Sequence, residues 1–143
     1  MYVAEILRAK GAEVVTIVQT ETIEAAAKVL REKKFGSLVV RDRSGKLAGI
    51  ITERDIIRAV ADKGTSGLTY KVEDFMTREV RTCKTTASIK DLMELMALRR
   101  VRHVPVLENG ELLGMISSTD VVKYRLEERS VEVAVLRDVT RSR

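Results

Sequence analysis

Two aspartates stand at matching places in this sequence, Asp55 in "GIITERD" (49–55) and Asp120 in "GMISSTD" (114–120). Each lies three residues after a hydroxyl, Thr52 or Ser117, and each hydroxyl lies three residues after a glycine, Gly49 or Gly114. Two kinds of chemistry fit that spacing. A hydroxyl followed three residues later by an acid, just ahead of an apolar run, is a capping box that satisfies unpaired N–H groups where a helix begins. The same helix start, with those N–H groups and the positive end of a dipole, is also an anion site.

Other chemistries find little support. Cys83 and His103 are the only residues of their types, too few for a zinc cluster. Neither Gly-x-x-x-x-Gly-Lys-Ser/Thr nor Gly-x-Ser-x-Gly occurs, and the repeated carboxylates have no evident proton-transfer partner. No catalytic residue and no metal ligand is assigned, and the reading is of a chain that is not an enzyme. His103, beside a proline, fits packing or a ligand contact better than general-base work, and Cys83, at a strand end, fits a small buried hydrophobe. Arg54, Arg99, Arg100 and Arg102 read first as solvated charges.

The elements that must hold these residues come in two copies. A shift of 66 superposes Val14, Thr16, Thr20, Ile23 and Val40 on Val80, Thr82, Thr86, Ile89 and Val106. A shift of 65 then superposes Gly45, Leu47, Gly49, Ile51 and Asp55 on Gly110, Leu112, Gly114, Ile116 and Asp120. Upstream, "VAEIL" (3–7) resembles "VEDFM" (72–76). In the first copy "VVTIV" (14–18) predicts a buried strand, and Ile23, Ala26, Ala27 and Leu30 predict a helix capped by Thr22 and closed near Lys33, Lys34 and Gly36. In the second copy Ser88 with Asp91 form a capping box, and Ile89, Leu92, Met93 and Met96 share a helix face. "SLVVRDRSGKLAGIIT" and "HVPVLENGELLGMIS" each read as two strands around a tight polar turn, and a helix follows each. Pro105 within a strand points to an edge or to the strand's first residues. The plan is β-α-β-β-α, twice, with "ADKGTSGLTYK" as the connector and a C-terminal tail expected to be helical.

Composition narrows the partners. The 143 residues, 45% hydrophobic, can bury one sizeable core, and a lone cysteine fits a reducing compartment. The start, "MYVAEILRAK", has neither a signal peptide's nor a membrane span's apolar run, so a soluble, cytoplasmic protein is expected, with no membrane partner. Net charge is +5, yet 26 basic residues are dispersed among 21 acidic ones, and with only 3% aromatics there is little for bases to stack on. Nucleic acid is an unfavoured partner.

A tandem β-α-β-β-α pair carrying "TIEAAAKVLREKKFGSLVV", "GIITERD", "RHVPV" and "GMISSTD" in order resembles a pair of cystathionine-β-synthase (CBS) domains, or Bateman module. The resemblance runs from about Val3 to Arg125. It implies an α+β fold of two repeats packed through their sheets with pseudo-twofold symmetry: repeat 1 over 3–62, a linker over 63–71, repeat 2 over 72–128 and the tail over 129–143. It also implies clefts between the repeats that hold adenosine derivatives (AMP, ADP, ATP, NAD or S-adenosylmethionine) and a regulatory role exerted on an unknown protein target. The ligand is then regulatory, and no catalytic cofactor is expected.

Carried onto this sequence, the resemblance gives Asp55 and Asp120 to the ribose hydroxyls and Thr52 and Ser117 to a phosphate oxygen. Arg54 adds a phosphate contact that its counterpart Thr119 cannot match, and the adenine falls to Thr16, Ile17, Gly36 and Ser37 or to Thr82, Cys83, Arg102 and His103. Gly49 and Gly114 leave room for a backbone or ligand to approach. A homodimer is expected through Ile56, Ile57, Val60, Val121 and Val122. Two other readings stay open, a structural dimerisation module with empty clefts and a nucleic-acid-associated accessory protein.

Overall fold

The computed structural model describes residues 1–141, which form two compact units, Glu13–Arg81 and Met1–Ala12 with the described chain from Thr82 onward. The last two residues of the tail, 142 and 143, lie outside the described residues.

The unit Glu13–Arg81 is built on a three-stranded sheet, β1 (Thr16–Val18), β2 (Ser37–Arg41) and β3 (Leu47–Thr52), in that order. β1 runs parallel to β2, with Ile17 opposite Val40, and β2 runs antiparallel to β3, with Ser37 opposite Thr52. The hairpin turn is organised by Asp42, whose Oδ1 accepts from Ser44 N (2.9 Å), Ser44 Oγ (2.6 Å) and Lys46 N (3.0 Å). The helix α1 (Val3–Lys10) belongs to the other unit; here α2 (Ile23–Lys33), α3 (Glu53–Lys63) and the short α4 (Val72–Phe75) cover the sheet. Thr22 caps α2 by accepting from Ala25 N at 3.1 Å, and Lys34 ends it in the left-handed region (φ 58). Ile23, Ala26, Leu30, Leu38, Val40, Ile51, Ala59, Val72 and Phe75 make the core. Each large aliphatic among them contributes about 1.5–3 kcal/mol by leaving water. The connector is not loose: Gly64–Thr69 forms a 3-10 helix in which Gly67 is packed on the Ala59 carbonyl.

The other unit has a two-stranded sheet, β4 (His103–Glu108) with β5 (Glu111–Ser117), tightly turned at Asn109 (φ 52) and Gly110 (φ 80). Both turn residues have the positive φ that an Asn-Gly hairpin turn requires. α5 (Ile89–Arg99) starts at the Ser88/Asp91 capping box, and α6 (Ser118–Arg141) is one continuous helix of 24 residues that takes in the described part of the tail. Val3, Ile6 and Leu7 of α1 pack with Ile89, Leu92, Val104, Val106, Ile116, Val121 and Tyr124. Among the described residues no helix is long and apolar enough to cross a membrane.

Two features depart from the sequence plan. First, the strand expected around Thr82 is reduced to one parallel bridge, Cys83 with Val106. Its counterpart in the first copy is a full strand in which Val39 N donates to Val15 O at 3.3 Å. The residue matching Val39 is Pro105, which has no N–H, so the bond to the Arg81 carbonyl cannot form and the ladder stops. Pro105 thus turns its missing donor towards the bridging segment, while its carbonyl accepts from Cys83 N at 3.0 Å. Second, the folded units are offset from the sequence repeats. α1, which precedes the first repeat's strand, packs in the unit of the second, and α4, which precedes the second repeat's, packs in the unit of the first. Matching backbone bonds fix both: Ile89 N to Met1 O (2.9 Å) and Val3 N to Ala87 O (2.9 Å) in one, Ile23 N to Tyr70 O (2.8 Å) and Val72 N to Glu21 O (2.8 Å) in the other.

Candidate functional site

Each copy builds the same turn from strand to helix. In the first, Thr52 ends β3 in extended conformation, its backbone N–H donates to Asp55 Oδ2 at 2.9 Å, and Asp55 N–H donates to Thr52 Oγ1 at 3.4 Å. The Thr52 hydroxyl also donates to Asp55 Oδ2, at 3.1 Å. In the second, Ser117 N–H donates to Asp120 Oδ2 at 2.8 Å and Asp120 N–H to Ser117 Oγ at 3.1 Å. Both motifs are therefore reciprocal caps. The next amide is held too: Glu53 N donates to Gly36 O (3.2 Å) and Ser118 N to Arg102 O (2.8 Å).

These bonds bring four of the expected residues together within each unit, and leave Thr16, Ile17, Thr82 and Cys83 outside the group. Gly36, Ser37, Thr52 and Asp55 gather at one end of the β2–β3 hairpin, and Arg102, His103, Ser117 and Asp120 at the matching end of β4–β5, where His103 pairs with Ser117. Ser37 is buried and His103 half-buried, whereas Arg54, Arg102 and Thr119 are exposed. The Arg54 side chain makes no hydrogen bond or ion pair with the described residues. Thr16 lies on β1 beside Val39 and is half-buried. Ile17 is in the core, its side chain packed within its own unit. Thr82 is exposed, and Cys83 packs against the core of its unit, where burial pushes the thiol up to about 11.

The two carboxylates have different neighbours. Asp55 is only 6% exposed, and its Oδ1 lies 3.4 Å from Arg58 Nη2, which also donates to Phe75 O at 2.7 Å and stands over the Phe75 ring. Asp120 meets a cation from elsewhere in the chain: Lys10 Nζ, at the end of α1, donates to Asp120 Oδ2 at 2.6 Å and to Met115 O at 2.7 Å. Burial alone would raise the Asp120 carboxyl, but the Lys10 bond and charge and the bonds from Ser117 together hold it below its ordinary range. Sequence reading missed both cations. Arg58 was open to it through the i,i+3 spacing from Asp55, but nothing local marks Lys10.

The glycines make room for protein. A Cβ on Gly49 would lie 2.6 Å from Thr77 O and 2.8 Å from Met76 Sδ, and one on Gly114 would lie 2.6 Å from Leu7 Cδ2. The expected dimer contacts also need correction. Val121 is 4% exposed and part of the core, and Ile56 packs against the core of its own unit, so Ile57 (67%), Val60 (39%) and Val122 (59%) are what the described surface offers.

Two such turns, each ending a hairpin in a repeated α+β unit, define a domain-pair protein, and the chain belongs to the CBS-domain family: the CBS domain model matches residues 3–62 and 72–127. Among solved structures it is similar to the CBS-domain containing protein ATU1752 from Agrobacterium tumefaciens (44% identity, TM-score 0.84, 87% of this chain and 92% of that one). It is also similar to the CBS domain pair of protein MJ0100 in complex with 5-methylthioadenosine and S-adenosyl-L-methionine (27% identity, TM-score 0.79, 90% and 98%). A mitochondrial relative, the CBS domain-containing protein CBSX3 of Arabidopsis thaliana, is 38% identical over 117 residues, covering 79% of this chain and 57% of that protein. The chain spans between 22% and 66% of the length of five curated relatives that it matches.

Proposed function

We propose that this CBS-domain pair is a regulatory module that binds an adenosine-containing ligand (AMP, ADP, ATP or NAD) at its two Thr/Ser-x-x-Asp turns and passes the occupancy to a protein target, without catalysing a reaction. One observation carries the reading: in both copies a carboxylate and a hydroxyl are locked side by side at a helix start, beside the hairpin end where Gly36 and Ser37, or Arg102 and His103, lie. A carboxylate accepts from ribose hydroxyls through charge-assisted bonds, and the helix end favours a phosphate. The adenosine ligands named for the MJ0100 pair support the same class. A homodimer through Ile57, Val60 and Val122, in a reducing cytoplasmic setting, completes the proposal.

The test is thermal melting and calorimetry with AMP, ATP and NAD after any co-purified nucleotide is stripped, on wild type, Asp55→Asn, Asp120→Asn and the double variant. Asparagine still caps locally, so each variant should lose at most about 1 kcal/mol of stability. Loss of the charged acceptor should cost about 1.5–3 kcal/mol of binding, roughly ten- to a hundredfold in affinity. A wild-type melting temperature indifferent to all three ligands at millimolar concentration would sink the reading.

A second reading is favoured for the first copy by Asp55 itself. It is 6% exposed and already engaged by Thr52 and Arg58. On that reading the first turn is a cap only, and Asp55→Asn leaves every affinity unchanged while Asp120→Asn does not.

A further inference from the structure

The second copy's carboxylate is in use. Asp120 Oδ2 takes the Ser117 N–H at 2.8 Å and the Lys10 ammonium at 2.6 Å, which leaves Oδ1 without a protein partner among the described residues. A ribose presents two neighbouring hydroxyls and is best met by two acceptor positions. Seating it across both carboxylate oxygens competes with Lys10 for Oδ2. Lys10 is held in place by two bonds: its side chain is 27% exposed, and its second bond is to the Met115 carbonyl, a neutral acceptor. An ammonium that loses its carboxylate there keeps only water and one neutral acceptor in place of a charge-assisted bond. A ligand that brings its own anion removes that cost, and a neutral one does not. The first copy has no such device, since Arg58 sits on the helix of Asp55 itself and is anchored independently by Phe75.

We propose that Lys10 belongs to the second-copy site and makes it selective for adenosine ligands that carry an anionic group, a nucleoside monophosphate above the neutral nucleoside. This rests on the adenosine-binding reading above, which gives Lys10 no part. It also makes α1 the element that registers occupancy, because the ammonium that changes partner is at the end of α1.

The experiment is a titration of the full chain with AMP and with adenosine, followed through the backbone amide resonances of residues 117–120 and, separately, of residues 52–55, for wild type, Lys10→Met and Lys10→Arg. In wild type AMP should bind about tenfold or more tightly than adenosine at residues 117–120. In Lys10→Met that ratio should collapse to a few-fold residue from the helix end, with AMP weakened and adenosine unchanged or tightened, and Lys10→Arg should restore it. The ratio at residues 52–55 should not respond to either variant. An unchanged ratio in a folded Lys10→Met overturns the proposal and leaves the adenosine reading standing. Shifts confined to residues 52–55 overturn it as well, whereas no shift at either turn in wild type overturns both. If Lys10→Met does not fold, Lys10→Gln, which keeps a donor for Met115 O, carries the same comparison.

Discussion

Leu7 lies over Gly114 so closely that a Cβ there would come within 2.6 Å of the leucine Cδ2, and Met76, the residue matching Leu7 in the other copy, lies over Gly49 in the same way. The glycines of the two motifs thus receive the helices α1 and α4. Substitution should separate them. Ala at Gly114 meets the end of a flexible side chain that can turn away, while Ala at Gly49 also meets the Thr77 carbonyl, which is fixed by paired bonds with Ile50 of 2.9 and 3.0 Å. Gly49→Ala should lose about 1–3 kcal/mol and Gly114→Ala clearly less, as read from urea denaturation.

Restoring the donor that Pro105 lacks should extend the second copy's ladder. In Pro105→Val the new N–H at 105 is aimed as Val39 N is in the first copy, towards the carbonyl of Arg81. One added bond is worth about 0.5–1.5 kcal/mol, partly offset by about 0.4–1 kcal/mol from the freer unfolded chain. The net stability change should be small, and the sharper readout is hydrogen exchange: the amide of residue 105 should be protected. An amide at 105 exchanging as fast as an unstructured one would show that the proline is not what ends the strand.

Much of this was legible in the chain. Periods of 2 and 3.6, the caps at Thr22, Ser88, Thr52 and Ser117, and the Asn-Gly turn are local, so short windows reveal them. The repeat gave the pairing within each hairpin. What stayed hidden is non-local. The apolar stripe Val3, Ile6, Leu7 says that α1 must be covered but not by which repeat, and the exchange of α1 and α4 between units follows only from the folded contacts. Lys10 was hidden for the same reason, being 110 residues from Asp120. Pro105 reads from the sequence as lying at an edge or among a strand's first residues, while its effect on the facing strand needed the register of Cys83 with Val106.

Cys83 should be a slow thiol. Burial raises it to about 11, so near neutral pH almost none is the thiolate that reacts. Labelling by a disulfide reagent at about pH 7.5 should be markedly slower than for the unfolded chain, whose thiol has a value near 8.5. Equal rates folded and unfolded would mean that the side chain is not packed as described.

Arg54 stands in the first copy where the second has Thr119. Because it is exposed and engaged by nothing else among the described residues, removing it should leave stability within about 0.5 kcal/mol of wild type. Its expected effect is on charge: Arg54→Ala should weaken ATP at residues 52–55 more than adenosine, since a guanidinium grips two phosphate oxygens. Calorimetry showing equal losses for both ligands would remove Arg54 from the site.

The ion pair of Lys10 with Asp120 should leave a signature in acid. The carboxyl of Asp120 is held below its ordinary value of 3.8 in the folded chain, so folding favours its ionised form. The sign follows from linkage: this contribution is fully present above the unfolded value and fades as pH falls through the lower folded one. Asp42, Asp91 and Glu128 are also lowered, so the acid limb of wild type alone is a sum over several groups. The contribution of the pair is isolated by comparison. Lys10→Met should melt below wild type at about pH 7, and the gap should close as pH falls towards about 2, where Asp120 is neutral in both proteins. In an Asp120→Asn background the same lysine substitution should cost little at either pH, because the double-mutant cycle removes the partner. A gap between wild type and Lys10→Met that is the same at about pH 7 and about pH 2 would mean that Lys10 stabilises the fold by packing or through Met115 O alone, and not through the charge on Asp120.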